Sequence, residues 1–244
     1  FDLIEYLEKN LRGAVNGTVV FSNPVSDFLD KNRIQLKSLF VSDDYSLEIP
    51  EGEKGFLDFL ADIEEDTSQM NDEITAISAG METMSSGINE CTEEINRVQK
   101  SGGNGTAAFV RKQSKKAASY ISEFSKQLKQ HTESIQSLWA KIEKNTLGLL
   151  ENEYATKPEN KESLTDYIKA LHKMMLSIKE ANQSVTVMKE TSLNNLGIER
   201  SMNQSIRFLD QDLSEYLDMT EQMVKSIERI IGKSRFIIGD VPLE

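Results

Sequence analysis

The residues best suited to binding a ligand surround a glycine-rich segment near the middle of the chain. Between positions 95 and 118 there are six basic residues and no acidic residue. Backbone N–H groups of a glycine-rich turn flanked by lysine and arginine can hold a phosphate or an acidic partner. We refer to this set as the basic tip and predict that it is a binding surface; the alternative is a flexible turn with solvated lysines. Its members are Arg97, Lys100, Gly102, Gly103, Gly105, Arg111, Lys112, Lys115 and Lys116.

Motifs typical of nucleotide binding and catalysis do not occur in the sequence. The glycine spacing matches neither a Walker loop nor a dinucleotide fingerprint. His131 and His172 lack the Glu-x-x-His and H-E-x-x-H signatures, and a single cysteine, Cys91, cannot build a cysteine-based zinc site. No G-x-S-x-G elbow is present. The sequence therefore predicts a protein that is not an enzyme and that needs no metal and no cofactor.

A cluster of acidic residues precedes the basic tip. Asp58, Asp62, Glu64, Glu65 and Asp66 recur at helical spacing, so that several carboxylates share one face. Such a face could bind a hard cation, but it lacks the alternating oxygen ligands and the glycine of a calcium loop. We favour a solvated helix start, where negative charge complements the helix dipole.

The net charge limits the partners that the chain can attract. Forty acidic and 28 basic residues give a net charge of −12, which opposes wholesale binding to nucleic acid or to anionic membranes. We therefore expect a protein partner or self-association, with any membrane contact restricted to the basic tip. We assign the chain to the cytoplasm because it has one cysteine, no apolar run long enough to span a membrane, and no signal-peptide pattern.

Two heptad patterns indicate the elements that carry these residues. The spacing of apolar residues is 4, 3, 4, 3 from Phe56 to Val98, and it recurs from Val110 to Leu149. Because the three glycines separate the two patterns, we predict a long antiparallel hairpin with helices at about 54–101 and 106–152. Polar residues at Thr67, Ser114, His131 and Asn145 interrupt the apolar seam.

The pattern returns after residue 160 and allows two interpretations. A single helix could run from 161 to about 232, or the chain could break at Asn194-Asn195-Leu196-Gly197 into helices at about 161–193 and 197–232. A single helix would leave an apolar surface bare, which would then be a dimer or partner interface. That surface comprises Leu209, Leu213, Leu217, Met223, Val224 and Ile231. We favour the break, which would also bring 235–238 back towards the N-terminal region as a possible strand.

Residues 1–52 differ in character from the rest of the chain. They combine a short amphipathic helix, a β-prone run at 18–21 and mixed segments up to Pro50. We predict a mainly α protein with a small N-terminal α+β cap at 1–52, or the remnant of an upstream domain. An elongated antiparallel helical bundle at 53–244 would follow. Since the chain starts at Phe1 and ends in Leu243-Glu244, we expect it to be a fragment of a longer protein.

Three functional hypotheses follow from this architecture. The first is a non-catalytic, coiled-coil binding or regulatory module that relays a signal to an effector domain outside the fragment. The second is a membrane-active, pore-forming helical protein, for which the sequence lacks an apolar hairpin. The third is a chemoreceptor-like signalling hairpin, for which a characteristic tip sequence and a transmembrane helix are missing. We favour the first.

Overall fold

The computed structural model describes residues 55–100, 106–194 and 200–243. These residues form four long helices, one short 3₁₀ turn and no strand, so the described chain is mainly α. The elements are α1 (Phe56–Lys100), α2 (Thr106–Glu151), the 3₁₀ turn Glu153–Thr156, α3 (Pro158–Asn194) and α4 (Arg200–Ile238). The predicted α+β cap at 1–52 and the three glycines of the basic tip lie outside the described residues.

Asp58, a member of the acidic cluster, caps the beginning of α1. The Asp58 and Phe59 N–H groups donate to the Gly55 carbonyl oxygen at 3.1 and 3.2 Å, and the Gly55 N–H donates to Asp58 Oδ2 at 2.8 Å. The Asp58 carboxylate therefore satisfies a backbone donor at the helix entrance, as the acidic residue of a capping box does. At the other end, Arg97 and Lys100 occupy the last turn, where positive charge complements the helix dipole.

The described residues divide into two compact units. Unit 1 comprises 73–100, 106–134, 180–194 and 200–220. Within it, Glu90 of α1 pairs with Lys116 of α2 at 3.3 Å, and Glu73 contacts His131 at 2.5 Å. Because position numbers rise along one helix as they fall along the other, α1 and α2 run antiparallel in this unit. Helix α4 joins them through hydrogen bonds of Ser205 and Asp212 to Ser122 and Ser125 of α2.

Unit 2 comprises 55–72, 135–179 and 221–243. Here α1 and α2 are linked by an ion pair between Lys141 Nζ and Asp66 Oδ1 at 3.5 Å. Tyr167 of α3 exchanges a hydrogen bond of 2.8 Å with Thr146 of α2. Three further ion pairs tie α4 to its neighbours: Lys179–Glu228, Arg229–Glu143 and Lys233–Glu151. Each unit thus contains parts of all four helices, which supports a helical bundle.

The heptad positions form the core, as the spacing predicts. Most of the seam positions of α1 and α2 are buried, including the polar Thr67, Ser114 and Asn145. Leu60, Val98, Val110 and His131 are half-buried. The core includes the methionines that lie on the seam, Met70, Met81, Met84, Met174 and Met223, whose flexible side chains fill irregular space between helices.

Two helices, rather than one, follow residue 157. Helix α3 ends at Asn194 and α4 begins at Arg200. Asn182 of α3 accepts a hydrogen bond of 2.9 Å from Thr220 of α4. In one continuous helix these residues would be about 57 Å apart, so the contact requires α4 to pack beside α3.

This arrangement removes the bare apolar surface that the alternative of a single continuous helix would have left on the last helix. Leu209, Leu213, Met223, Val224 and Ile231 are all buried. They would have been exposed only on a single continuous helix, and the packing of α4 against the other helices buries them instead. Leu217, the sixth residue of the expected interface, is half-buried.

The predicted end of the last helix and the strand after it are both wrong. Helix α4 continues through Gly232 to Ile238 and therefore includes residues 235–238. Gly239 then adopts a positive φ of 86°, and its N–H donates to the Arg235 carbonyl oxygen at 3.1 Å. This is the left-handed glycine that commonly ends a helix, whereas a glycine inside a helix, such as Gly232, costs only about 1 kcal/mol.

Candidate functional site

The described part of the basic tip lies where α1 ends and α2 begins, side by side in unit 1. The antiparallel pairing sets Lys100 close to the first turn of α2 and Arg111 close to the last turns of α1. Two of the six bases are paired with acids on α1: Lys116 with Glu90 at 3.3 Å and Arg97 with Glu94 at 2.9 Å. The sequence prediction counted all six bases as available and did not anticipate this partial neutralisation.

The other four bases of the basic tip face solvent. Lys100, Arg111, Lys112 and Lys115 are exposed, and within the described residues none of them forms an ion pair. The first turn of α2 contains no acidic residue, so the positive end of its dipole is not offset by a carboxylate there. These two features make this end of unit 1 attractive to an anionic group.

Lys116 and Cys91 show the local electrostatics of the same region. The hydrogen bond to Glu90, followed by the influence of Tyr120, raises the pKa of Lys116, whose ammonium lies 5.8 Å from the centre of the Tyr120 ring. Cys91 is buried, and this burial raises the pKa of its thiol despite the nearby Lys116 charge. A thiol with a raised pKa carries little thiolate at neutral pH, as is typical of an unreactive, buried cysteine.

His131 belongs to a hydrogen-bonded cluster that ties α1 to α2. Its Nδ1 lies 2.5 Å from Glu73 Oε2, and Ser134 Oγ donates to Glu73 Oε1 at 2.7 Å. The serine donates to the carboxylate and not to the imidazole, so the order of contacts differs from that of a Ser-His-acid triad. Burial alone would raise the pKa of Glu73, but the hydrogen bonds from His131 and Ser134 outweigh this effect and lower that pKa, and protonation of the His131 ring would add to the lowering.

The acidic cluster faces lysines from α2 in unit 2. Asp62, Glu65 and Asp66 line a cleft of about 300 Å³ whose other wall includes Lys141 and Lys144. Lys141 pairs with Asp66, and positive charge on this wall opposes cation binding. In the described part of the chain, no three or more histidine, cysteine or acidic residues are arranged to hold a metal ion.

One buried acid was not identified from the sequence. Asp212 of α4 is buried and accepts a hydrogen bond from Ser125 of α2. Burial raises the pKa of Asp212, and Glu215 adds to this effect, while Ser125 and Lys129 oppose it. In the sequence, the only sign that Asp212 is buried is its position next to the seam residue Leu213. Its hydrogen-bond partner Ser125 lies 87 residues away and could not be identified from spacing.

Comparison of the chain with protein-family models, with curated proteins and with solved structures gives no match. The functional argument therefore rests on the geometry of the described residues. None of the helices in the described ranges combines the length and the apolar composition needed to cross a bilayer.

Proposed function

We propose that this chain is a non-catalytic helical binding module that recognises an acidic protein surface through the basic tip. The observation that carries the proposal is the group of four exposed bases, Lys100, Arg111, Lys112 and Lys115, at the adjoining ends of α1 and α2. Within the described residues no ion pair neutralises them, although the whole chain has a net charge of −12. A local positive surface on an acidic protein attracts acidic partners selectively.

The antiparallel packing of α1 and α2 supports this role. It gathers bases from two helices on one end of unit 1, where the Glu90–Lys116 ion pair and the packing of the Tyr120 ring of α2 against Gly87 of α1 join the two helices. Exposed basic side chains on packed helices lose less freedom on binding than the same residues on a disordered segment. As a regulatory module, the chain would relay binding at the basic tip to an effector domain.

Binding of a fluorescent polyglutamate peptide, followed by anisotropy, tests the proposal. We expect saturable binding that weakens strongly between about 50 mM and about 300 mM salt, because exposed charges are screened. The triple variant R111E/K112E/K115E should abolish the binding. The matched variant K161E/K173E/K225E makes the same change in net charge on exposed lysines of unit 2, and it should bind the peptide as wild type does.

Equal loss of binding in both triple variants would show a response to net charge alone and would refute the assignment to the basic tip. Binding of wild-type protein to vesicles with anionic lipid, without binding to polyglutamate, would replace the acidic protein partner with a membrane surface.

A further inference from the structure

A second candidate site lies in unit 1, in a groove between α1 and α2. The groove has a volume of about 360 Å³, within the usual range for small-ligand sites. Its floor is apolar and is made by Ala76, Ala79 and Gly80 of α1 together with Phe124 of α2. Gln127 also lines the groove, and the end of its side chain takes the space beside Gly80, where a Cβ would lie 2.5 Å from the amide oxygen.

The two ends of this groove carry hydrogen-bond acceptors. Glu123 and Thr83 lie at one end, and His131 lies at the other. The Thr83 hydroxyl donates its proton to the Ala79 carbonyl oxygen at 2.9 Å, so the hydroxyl oxygen offers lone pairs to a ligand. When His131 Nδ1–H donates to Glu73, Nε2 of the neutral imidazole is an acceptor.

Charge and spacing together define the ligand that would fit. The lining includes the Glu123 carboxylate and no lysine or arginine. Glu123 and His131 are eight positions apart on α2, a separation of about 12 Å along the helix. An occupant that matches both ends therefore carries a positive charge at the Glu123 end, a hydrogen-bond donor at the His131 end and an apolar chain between them.

We propose that this groove binds an extended aliphatic polyamine. One terminal ammonium group would pair with Glu123 and donate to the Thr83 hydroxyl oxygen. The methylene chain would lie along the two alanines and Phe124, beside the Gln127 side chain, and the second ammonium group would donate to His131 Nε2. The Glu73–Ser134 pair acts as a positioning element, since it holds the imidazole through Nδ1. The proposal does not depend on the basic tip, which has the opposite charge preference.

Titration of spermidine into protein with labelled alanine and methionine methyl groups, followed by NMR, tests this site directly. The Ala76, Ala79 and Met84 signals should shift saturably. The E123Q variant should weaken the binding about 1.4-fold to fivefold, the range expected when an ion pair of an exposed carboxylate is lost. The E133Q variant, which removes an exposed acid from the same helix away from the groove, should bind as wild type does.

Two further comparisons separate the groove from non-specific attraction to an acidic protein. The shorter diamine putrescine cannot span the groove and should bind more weakly than spermidine. The G80A variant keeps every charge but displaces the flexible end of Gln127, and it too should bind spermidine more weakly. Equal affinity for the two amines, equal effects of E123Q and E133Q, or shifts at Ala61 in the acidic cluster without shifts at Ala76 would each overturn the proposal.

Discussion

Two carboxylates in unit 1 respond to burial in opposite ways. Glu73 receives hydrogen bonds from His131 and Ser134, which outweigh the effect of burial and lower its pKa. Asp212 receives one from Ser125, and there the effect of burial prevails and raises its pKa. The balance between burial and hydrogen bonding therefore differs at the two carboxylates, and the two residues contribute opposite pH dependences to stability.

We expect E73Q to destabilise the protein by about 1–2 kcal/mol at neutral pH, because it weakens two part-buried hydrogen bonds that favour a charged acceptor. A lowered pKa means that the contribution of Glu73 is present above its ordinary value of 4.5 and is lost as the pH falls through the lowered pKa. Thermal denaturation of E73Q and wild type should therefore converge at acidic pH. A constant difference at every pH would contradict the assigned shift.

The D212N variant should behave in the opposite way. A raised pKa means that the fold favours the protonated carboxyl, so the contribution of Asp212 is present below its ordinary value of 3.8 and is lost as the pH rises through the raised pKa. Asparagine keeps an oxygen acceptor for Ser125 without a charge. We expect a higher melting temperature than wild type at neutral pH and little difference near pH 3, where an ordinary aspartate is also largely protonated.

The exposed variant D218N is the control for D212N, since Asp218 is an exposed acid on the same helix. Its free energy of unfolding, derived from the thermal denaturation curve, should stay within about 0.5 kcal/mol of the wild-type value. A gain in D218N equal to that in D212N would attribute the effect to net charge and not to the buried site.

At the scale of helices, glycines control how closely α1 and α2 approach. Gly87 of α1 lies against the Tyr120 ring of α2, and a Cβ at position 87 would lie 2.4 Å from a ring carbon. Gly148 of α2 faces Phe59 of α1 in the same way, with 2.5 Å between a Cβ and the ring. An aromatic ring thus occupies the space that a side chain would otherwise take in each unit.

We expect G87A to destabilise the protein by up to about 2 kcal/mol, because overpacking against the Tyr120 ring costs about 1–3 kcal/mol and the gain in helix propensity offsets only about 1 kcal/mol. The matched variant G232A has no neighbouring atom within 4 Å of its Cβ and should stabilise the protein by about 0.5–1 kcal/mol. Urea denaturation measures both. A stabilising G87A would show that Tyr120 moves aside without cost.

At the scale of the whole molecule, the position of α4 decides whether its apolar residues form a core or an interface. Leu213 is buried within the monomer, together with Leu209 and Met223. An isolated apolar residue such as Leu176, which is 51% exposed, needs no partner to account for it. The described chain therefore covers the apolar surface that would have needed a second molecule if residues 161–232 had formed one helix.

We expect L213A to lower stability by about 3 kcal/mol, as truncation of a buried leucine does, without a change in molecular mass. Light scattering and thermal denaturation measure the two quantities. The control L176A removes an exposed leucine and should cost less than about 1 kcal/mol. If L213A had a lower molecular mass in solution than wild type but an unchanged thermal stability, Leu213 would instead belong to an interface between two molecules.

The amino-acid sequence by itself determined the helical class and the heptad core. For three of the four helices it also determined both boundaries to within a few residues. This is possible because a 4–3 repeat of apolar residues from Ile63 to Ile95 has one low-energy solution, a helix with a buried seam. The exception was the end of α4, where Gly232 lies inside the helix and Gly239 ends it. Both are glycines near the end of an apolar pattern, and only the backbone conformation distinguishes them.

The tertiary structure decided which charged and polar residues act together. Glu73 and His131 are 58 positions apart, and Ser125 and Asp212 are 87 apart, so their pairing follows from helix register and packing. The same applies to the basic tip, where Glu90 and Glu94 neutralise two of the six predicted bases. Periodicity along one helix shows which face is buried, but the identity of the residue opposite depends on how the helices are aligned.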